Sequence, residues 1–309
     1  MRTRALMAAF VILTLARLAP AQTCTGAKPA IPTTVSWVCS SADLTHTSGS
    51  TKPSCNVPPD KAAMIRDLLA GTSALLPVCL AFSGTASAVA DSGGTLRAGH
   101  VPREYYWGGA ERTALSTGRR DPQWNRLDLF IVQGFPSPGM WGEASDGYYL
   151  RGRPFVDGEA ICRSDDAVFI RLDASASHLA HEIGHWLGLL HTDAGNFGRA
   201  CDVGDDIPDT VAETSADTDW QAKEARVSCR GLDASGKLAE LLEAENGCHQ
   251  PITRIQLKNI MKRNSPCADR FTKDQEDAMT AVWTWRNSSA AASQIQVPRG
   301  AVCSSRRDP

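Results

Sequence analysis

The stretch HLAHEIGHWLGLLHTD, residues 178–193, carries four of the chain's seven histidines. Imidazole is the commonest side-chain ligand for transition metals, so the spacing of these rings comes first. His181 and His185 are four residues apart. On a helix such rings differ by ~40° in direction and ~6 Å in rise, which lets both reach one ion. If the same helix ran on, His191 would lie ~120° round from His185 and ~9 Å further along the axis, out of reach. The chain must therefore turn. Gly188 sits where the turn is needed, and glycine adopts the positive φ of a helix C-cap without steric cost. Beyond it His191 can return as a third ligand.

Three neutral imidazoles leave a tetrahedral zinc ion one open position, the mark of a catalytic rather than a structural site. Zinc lowers the pKa of a water there toward ~7, and Glu182, beside His181 on the helix, can take its proton as general base. Amide hydrolysis is the reaction this best serves, with Glu182 passing the proton to the departing amine. The pattern HExxHxxGxxH should arise by accident in on the order of 1 such chain in 100,000, which disfavours histidines merely packed in a core. His178 shares the face of His181 but falls in the first turn, where Ser175 or Ser177 can cap the helix, so it reads as a supporting or solvent residue rather than a ligand.

Elements must position this cluster. LDLFIVQG (127–134) and AVFIRL (167–172) are short, apolar and rich in β-formers, and read as buried strands. Between them PSPGMWGEAS (136–145) suits a loop entering an exposed edge strand. A first helix is predicted in PPDKAAMIRDLLAG (58–71), opened by Pro59 and Asp60 and stopped by Gly71, with Met64, Ile65, Leu68 and Leu69 on one side. Further helices are predicted near GGAERTALSTG (108–118) and GKLAELLEAENG (236–247). A last one, TKDQEDAMTAVWTWR (272–286), has Thr272 as N-cap, Gln275 three residues on, and Ala278, Met279, Val282 and Trp283 facing inward.

With 309 residues, 42% of them hydrophobic, the chain can bury a sizeable core. A net charge of -2 and no basic stripe argue against nucleic acid, and no segment past the N-terminus is apolar enough to span a bilayer. The N-terminus has Arg2 and Arg4, an apolar run from Ala5 to Ala16 and Ala19-Pro20-Ala21, the layout of a cleavable secretory signal over residues 1–21. The predicted destination is extracellular. Ten cysteines, all beyond that signal, suit an oxidising compartment. Residues 22–95, rich in Thr, Ser, Pro, Ala and Gly, read as a propeptide, an N-terminal extension or the first layer of the enzyme, and composition does not separate these. The zinc domain is assigned to 96–290 and a C-terminal tail to 291–309.

HEIGHWLGLLHT resembles the zinc signature of the metzincin metallopeptidases, and in detail the pappalysin family. KNIMKRNSPCADRFTKDQEDAM (258–279) is similar to that family's methionine-turn segment, with Met261 as the apolar floor beneath the histidines. GDDIPDT (204–210) is similar to its Gly-Asp to Asp-Thr segment. The likeness covers roughly residues 105–285. It implies an α/β (α+β) fold: a twisted mixed sheet, an active-site helix and a backing helix above the cleft, and an irregular, disulfide-bonded lower part after Gly188. GMWGEAS (139–145) is similar to the rim strand along which a protein or peptide substrate lies extended, bound by strand addition. The resemblance also implies disulfides Cys201–Cys248 and Cys229–Cys267, one of three pairings those four cysteines allow. Many relatives carry tyrosine two residues after the turn methionine. Arg263 stands there, a charged donor that either serves the oxyanion or points to solvent, the plainer account.

Two further readings concern other ligands. Asp205, Asp206, Asp209 and Thr210, in an acidic stretch without Lys or Arg, are candidate calcium ligands, with a solvated loop as the plainer account. Cys39 or Cys55 could hold the metal latent as thiolate, against ordinary disulfide pairing. The sequence as a whole predicts a secreted zinc endopeptidase with one Zn2+ per chain. Its rival is a zinc-retaining pseudoprotease that binds peptides or proteins without cutting, and oligomeric state is not encoded legibly.

Overall fold

The computed structural model describes residues 24, 26–38, 57–84, 86–89, 125–132, 142–144, 149–150, 153–154, 167–193, 205, 207–211, 248, 257–262 and 267–288. The helices predicted at 108–118 and 236–247 and the C-terminal tail lie outside them, as does the signal. Among the described residues no helix is long and apolar enough to cross a membrane.

The architecture is mixed α/β. Strand β1 (Ala30–Val38) alternates exposed and buried residues until Val35, then stays buried through Val38. That is the pattern of a strand whose second half is covered on both faces. It pairs in parallel with β2 (Cys79–Phe82), with β3 (Ser87–Val89) and with β4 (Leu127–Val132). Strand β4 pairs in parallel with β8 (Val168–Arg171), and β5 (Gly142–Ala144) closes the order β2-β1-β4-β8-β5 antiparallel to β8. Thus the two apolar runs form adjacent strands, and GEA forms the terminal one. Strands β6 (Tyr149–Leu150) and β7 (Arg153–Pro154) make a separate two-stranded ribbon.

Helix α1 (Pro59–Leu75) contradicts one expectation: it runs through Gly71 and ends at Leu75, with Leu76 as its C-cap. The glycine serves packing, since a Cβ there would stand 3.0 Å from the Ala176 Cβ of helix α2 (Ala176–Trp186). Met64, placed inward from the sequence, is 41% exposed, while Ile65, Leu68 and Leu69 are buried as expected. Helix α1 has no basic residue in its last turn. Lys28 supplies the charge from elsewhere, its Nζ donating to the carbonyls of Ser73 (3.0 Å) and Leu76 (2.6 Å). A disulfide between Cys24 and Cys79 fixes the same corner. Residues 22–95 therefore contribute α1, β1, β2 and β3 to the same sheet and core as β4, β8 and α2.

The last helix, α3 (Lys273–Arg286), opens as predicted: Thr272 accepts the Gln275 N–H while Gln275 accepts the Thr272 N–H. Met279, Val282 and Trp283 are buried, and Ala278 packs against the core. Asn287, at the C-cap of the helix, donates from Nδ2 to the Trp283 carbonyl at 2.8 Å.

Candidate metal centre

Helix α2 begins at Ser175, whose hydroxyl accepts the His178 N–H while His178 Nδ1 accepts the Ser175 N–H. His178 thus completes a capping box, and its ring is held below its usual pKa by burial, against the raising effect of Asp173. Leu179, Ala180, Ile183 and Trp186 form the buried face. Each large apolar side chain there contributes roughly 1.5–3 kcal/mol by leaving water. The opposite stripe carries His181, Glu182 and His185, all half-buried.

The helix ends at Trp186, and Gly188 has φ +90°, the left-handed conformation anticipated for it. The turn is closed by Gly188 N–H to His185 O (2.8 Å) and Leu189 N–H to Gly184 O (2.9 Å). It brings His191 back. Its Nε2 lies 3.0 Å from that of His181 and 3.1 Å from that of His185, and the latter two are 3.1 Å apart. Among the described residues this is the only group of His, Cys, Asp or Glu arranged to hold a metal ion.

The protonation of two rings follows from their partners. His181 Nδ1 is 2.6 Å from the Ile260 carbonyl and His185 Nδ1 is 2.8 Å from the Leu189 carbonyl. A carbonyl only accepts, so each Nδ1 carries the proton and each Nε2 turns a lone pair inward. Two lone pairs 3.1 Å apart repel unless a cation lies between them. A tetrahedral zinc with bonds of about 2.0–2.1 Å sets its ligands about 3.3–3.4 Å apart. The observed triangle, slightly tighter, fits such an ion.

Met261 is fully buried, and its sulfur would be 2.6 Å from a Cβ at Gly184, so any larger residue at position 184 would have to displace the methionine side chain. The segment is stitched on both sides. Met261 N–H donates to Asn259 Oδ1 (2.8 Å), Met261 O accepts the Thr192 N–H (3.3 Å), and Ile260 N–H reaches Arg270 O (2.8 Å). The methionine segment therefore orients His181 through the Ile260 carbonyl and steadies the residue after His191. Neither backbone acceptor has a signature in residue type. Arg263 lies outside the described residues.

The acidic stretch is turned toward protein donors. Asp205 accepts from Ile207 N–H (3.2 Å), Gln275 Nε2 (3.4 Å) and the Thr210 hydroxyl. Asp209 accepts from Thr272 Oγ1 (2.6 Å) and Asp274 N–H (2.9 Å), across the positive end of α3. These carboxylates bracket the loop after His191 to α3, and calcium finds no support among them; Asp206 is not among the described residues. Cys248 and Cys267 are each disulfide-bonded, whereas Cys201, Cys229, Cys39 and Cys55 also fall outside the described residues.

Burial pushes the Asp205 carboxyl up from 3.8 to about 6, against the lowering effect of its hydrogen bonds. A carboxyl raised on folding favours the native state below its unfolded pKa, and that contribution is lost as pH rises through the folded one. The stability difference between the wild-type chain and Asp205→Asn, both metal-free, should fall as pH goes from about 4 to about 7, by up to ~3 kcal/mol. Urea unfolding at several pH values measures it. A difference that is flat with pH would refute the assignment.

Residues 169–284 match the model of the Peptidase_M43 family, described as pregnancy-associated plasma protein-A. The pappalysin resemblance drawn from the sequence is shown over that span. Among solved structures, mature mirolysin of Tannerella forsythia in complex with a cleaved peptide is similar at 14% identity, with a TM-score of 0.48 over 88% of this chain and 97% of that one. Mirolysin in complex with compound 9 is similar at 13% identity, with the same TM-score and coverage. No curated protein matches the sequence.

Proposed function

Because residues 169–284 match a metallopeptidase family, we propose that this chain is a secreted zinc endopeptidase that cuts proteins or peptides through Glu182. The observation that carries the reading is the triangle of Nε2 atoms at 3.0–3.1 Å, with two of the rings fixed in the ligating tautomer. His181, His185 and His191 would hold one zinc ion. When bound, zinc supplies Lewis acidity to the scissile carbonyl and acidifies a water. Glu182, on the same helix stripe, would accept a proton from the attacking water and deliver it to the departing amine nitrogen. Met261 and Gly188 support the site, one by packing at Gly184 and the other by its left-handed turn.

The substrate lies extended along β5, the terminal strand of the sheet among the described residues, and binds by strand addition. Arg263 is proposed as the donor to the oxyanion in place of the family's tyrosine. The catalytic unit includes the material from Cys24 onward, because β1 is an inner strand and the Cys24–Cys79 bridge and Lys28 tie its approach to α1 and β2. Removal of residues 22–95 as a propeptide would take away that strand. The signal at 1–21 directs export.

Digestion of casein by the purified protein is the test. Cleavage that a chelator stops and zinc restores is the expected result. Zinc-loaded protein that leaves casein intact would contradict the enzyme and leave peptide binding in its place.

A further inference from the structure

Arg286, the last residue of α3, is 3% exposed, an unusual burial for a guanidinium. Its Nη2 donates to the carbonyl of Trp186 at 3.1 Å, and its Cζ stands 4.0 Å from the centroid of the Trp186 ring. Trp186 is itself fully buried, and it leans on Trp283 with ring centroids 6.3 Å apart. The carbonyl in question belongs to the last residue of α2, immediately after His185 and two residues before the left-handed Gly188.

Three effects converge on that one corner. The positive charge meets the negative end of the α2 dipole, where a buried cation is worth most. A hydrogen bond from a charged donor satisfies a carbonyl that the end of the helix leaves without an intrahelical partner. The face-on guanidinium holds the indole, and with it the peptide that must bend toward His191. Resting on the zinc reading of the site, we propose that Arg286 is a positioning residue: it clamps the end of the active-site helix and so sets the angle at which His191 rejoins His181 and His185. It touches neither metal nor substrate. Its effect passes through Trp186.

A clamp of this kind should appear in the metal's affinity and geometry, which loss of global stability alone does not change in protein that is still folded. The full mature chain would be prepared as wild type, Arg286→Met, Arg286→Lys and, as a control for destabilisation, Leu80→Ala, a buried residue of β2 at the far side of the sheet. The zinc dissociation constant is read by competition with a chromophoric chelator, and the site's geometry by the visible absorption of the cobalt-loaded protein.

Arg286→Met should weaken zinc by about ten-fold, the low end of the loss seen when a partner that orients a ligand is removed, and should alter the cobalt bands. Lysine, which keeps the charge and a donor but not the fork, should recover most of the affinity. Leu80→Ala should leave both readouts unchanged. Should Arg286→Met not fold, Arg286→Gln takes its place, since it keeps a donor and loses the charge over the indole, and it should also weaken zinc. Affinity and cobalt spectrum identical to wild type in the folded arginine variants would overturn the proposal, as would an equal loss in Leu80→Ala. Wild-type protein that binds no zinc would overturn the reading of the site along with it.

Discussion

On the proposed mechanism, Glu182→Gln should abolish casein cleavage while leaving one zinc per chain in place. Glutamine keeps the size and polarity of the side chain but cannot accept a proton at neutral pH, so the substitution isolates the proton transfer from the binding of metal and substrate. A positioned general base contributes typically 10²–10⁴-fold, and in the proposed mechanism one group serves both as base and as acid toward the amine, so the loss should reach the upper part of that range. Comparison of kcat/KM for a fluorogenic peptide, with zinc content measured on the same samples, makes the test. A variant that retains zinc and cleaves within ten-fold of wild type would remove Glu182 from the mechanism.

His191→Ala should cost the site its metal. The ring reaches the other two only through the Gly188 turn, and no other described His, Cys, Asp or Glu joins the group. Loss of a residue that merely orients a ligand weakens metal by about 10–100-fold, so loss of the ligand itself should exceed 100-fold and take the activity with it. Helix α2 should survive, because its capping box at Ser175 and its buried face of Leu179, Ile183 and Trp186 do not involve that ring. Zinc competition and far-ultraviolet circular dichroism on the same protein separate the two effects. Tight, stoichiometric zinc in a folded His191→Ala variant would mean that a different ligand set holds the ion.

The histidine centre was legible in the sequence because its constraints are local. An i, i+4 pair on a helix and a glycine three residues later leave the chain few ways to bring a third ring back. The same holds for the Thr272 and Gln275 capping box and for the two apolar strands, now β4 and β8. What escaped depends on partners distant in the chain. Gly71 reads as a helix stop until α2 is seen pressing against it. The tautomers of His181 and His185 are set by the carbonyls of Ile260 and Leu189, and every residue has a carbonyl. Arg286 at a helix end reads as an exposed charge favourable to its own helix's dipole, whereas it is buried against the end of another.

The acidic stretch shows the limit of composition. Asp205, Asp209 and Thr210 have the chemistry of oxygen ligands, yet α3 and its cap offer the two carboxylates Gln275, Thr272 and a first-turn N–H, and Thr210 donates to Asp205. A carboxylate satisfied by such donors is a bracket rather than an open ligand. Likewise the small-residue bias of residues 22–95 did not separate a propeptide from a first layer of the enzyme, while the alternation of IPTTVSWV fits an inner strand.

Metal analysis of the purified mature chain, joined to X-ray absorption at the zinc edge, tests the central claim most directly. The account predicts one zinc per chain bound by three imidazole nitrogens at about 2.0–2.1 Å. Substoichiometric zinc after incubation with the metal, or sulfur among the ligands, would contradict it.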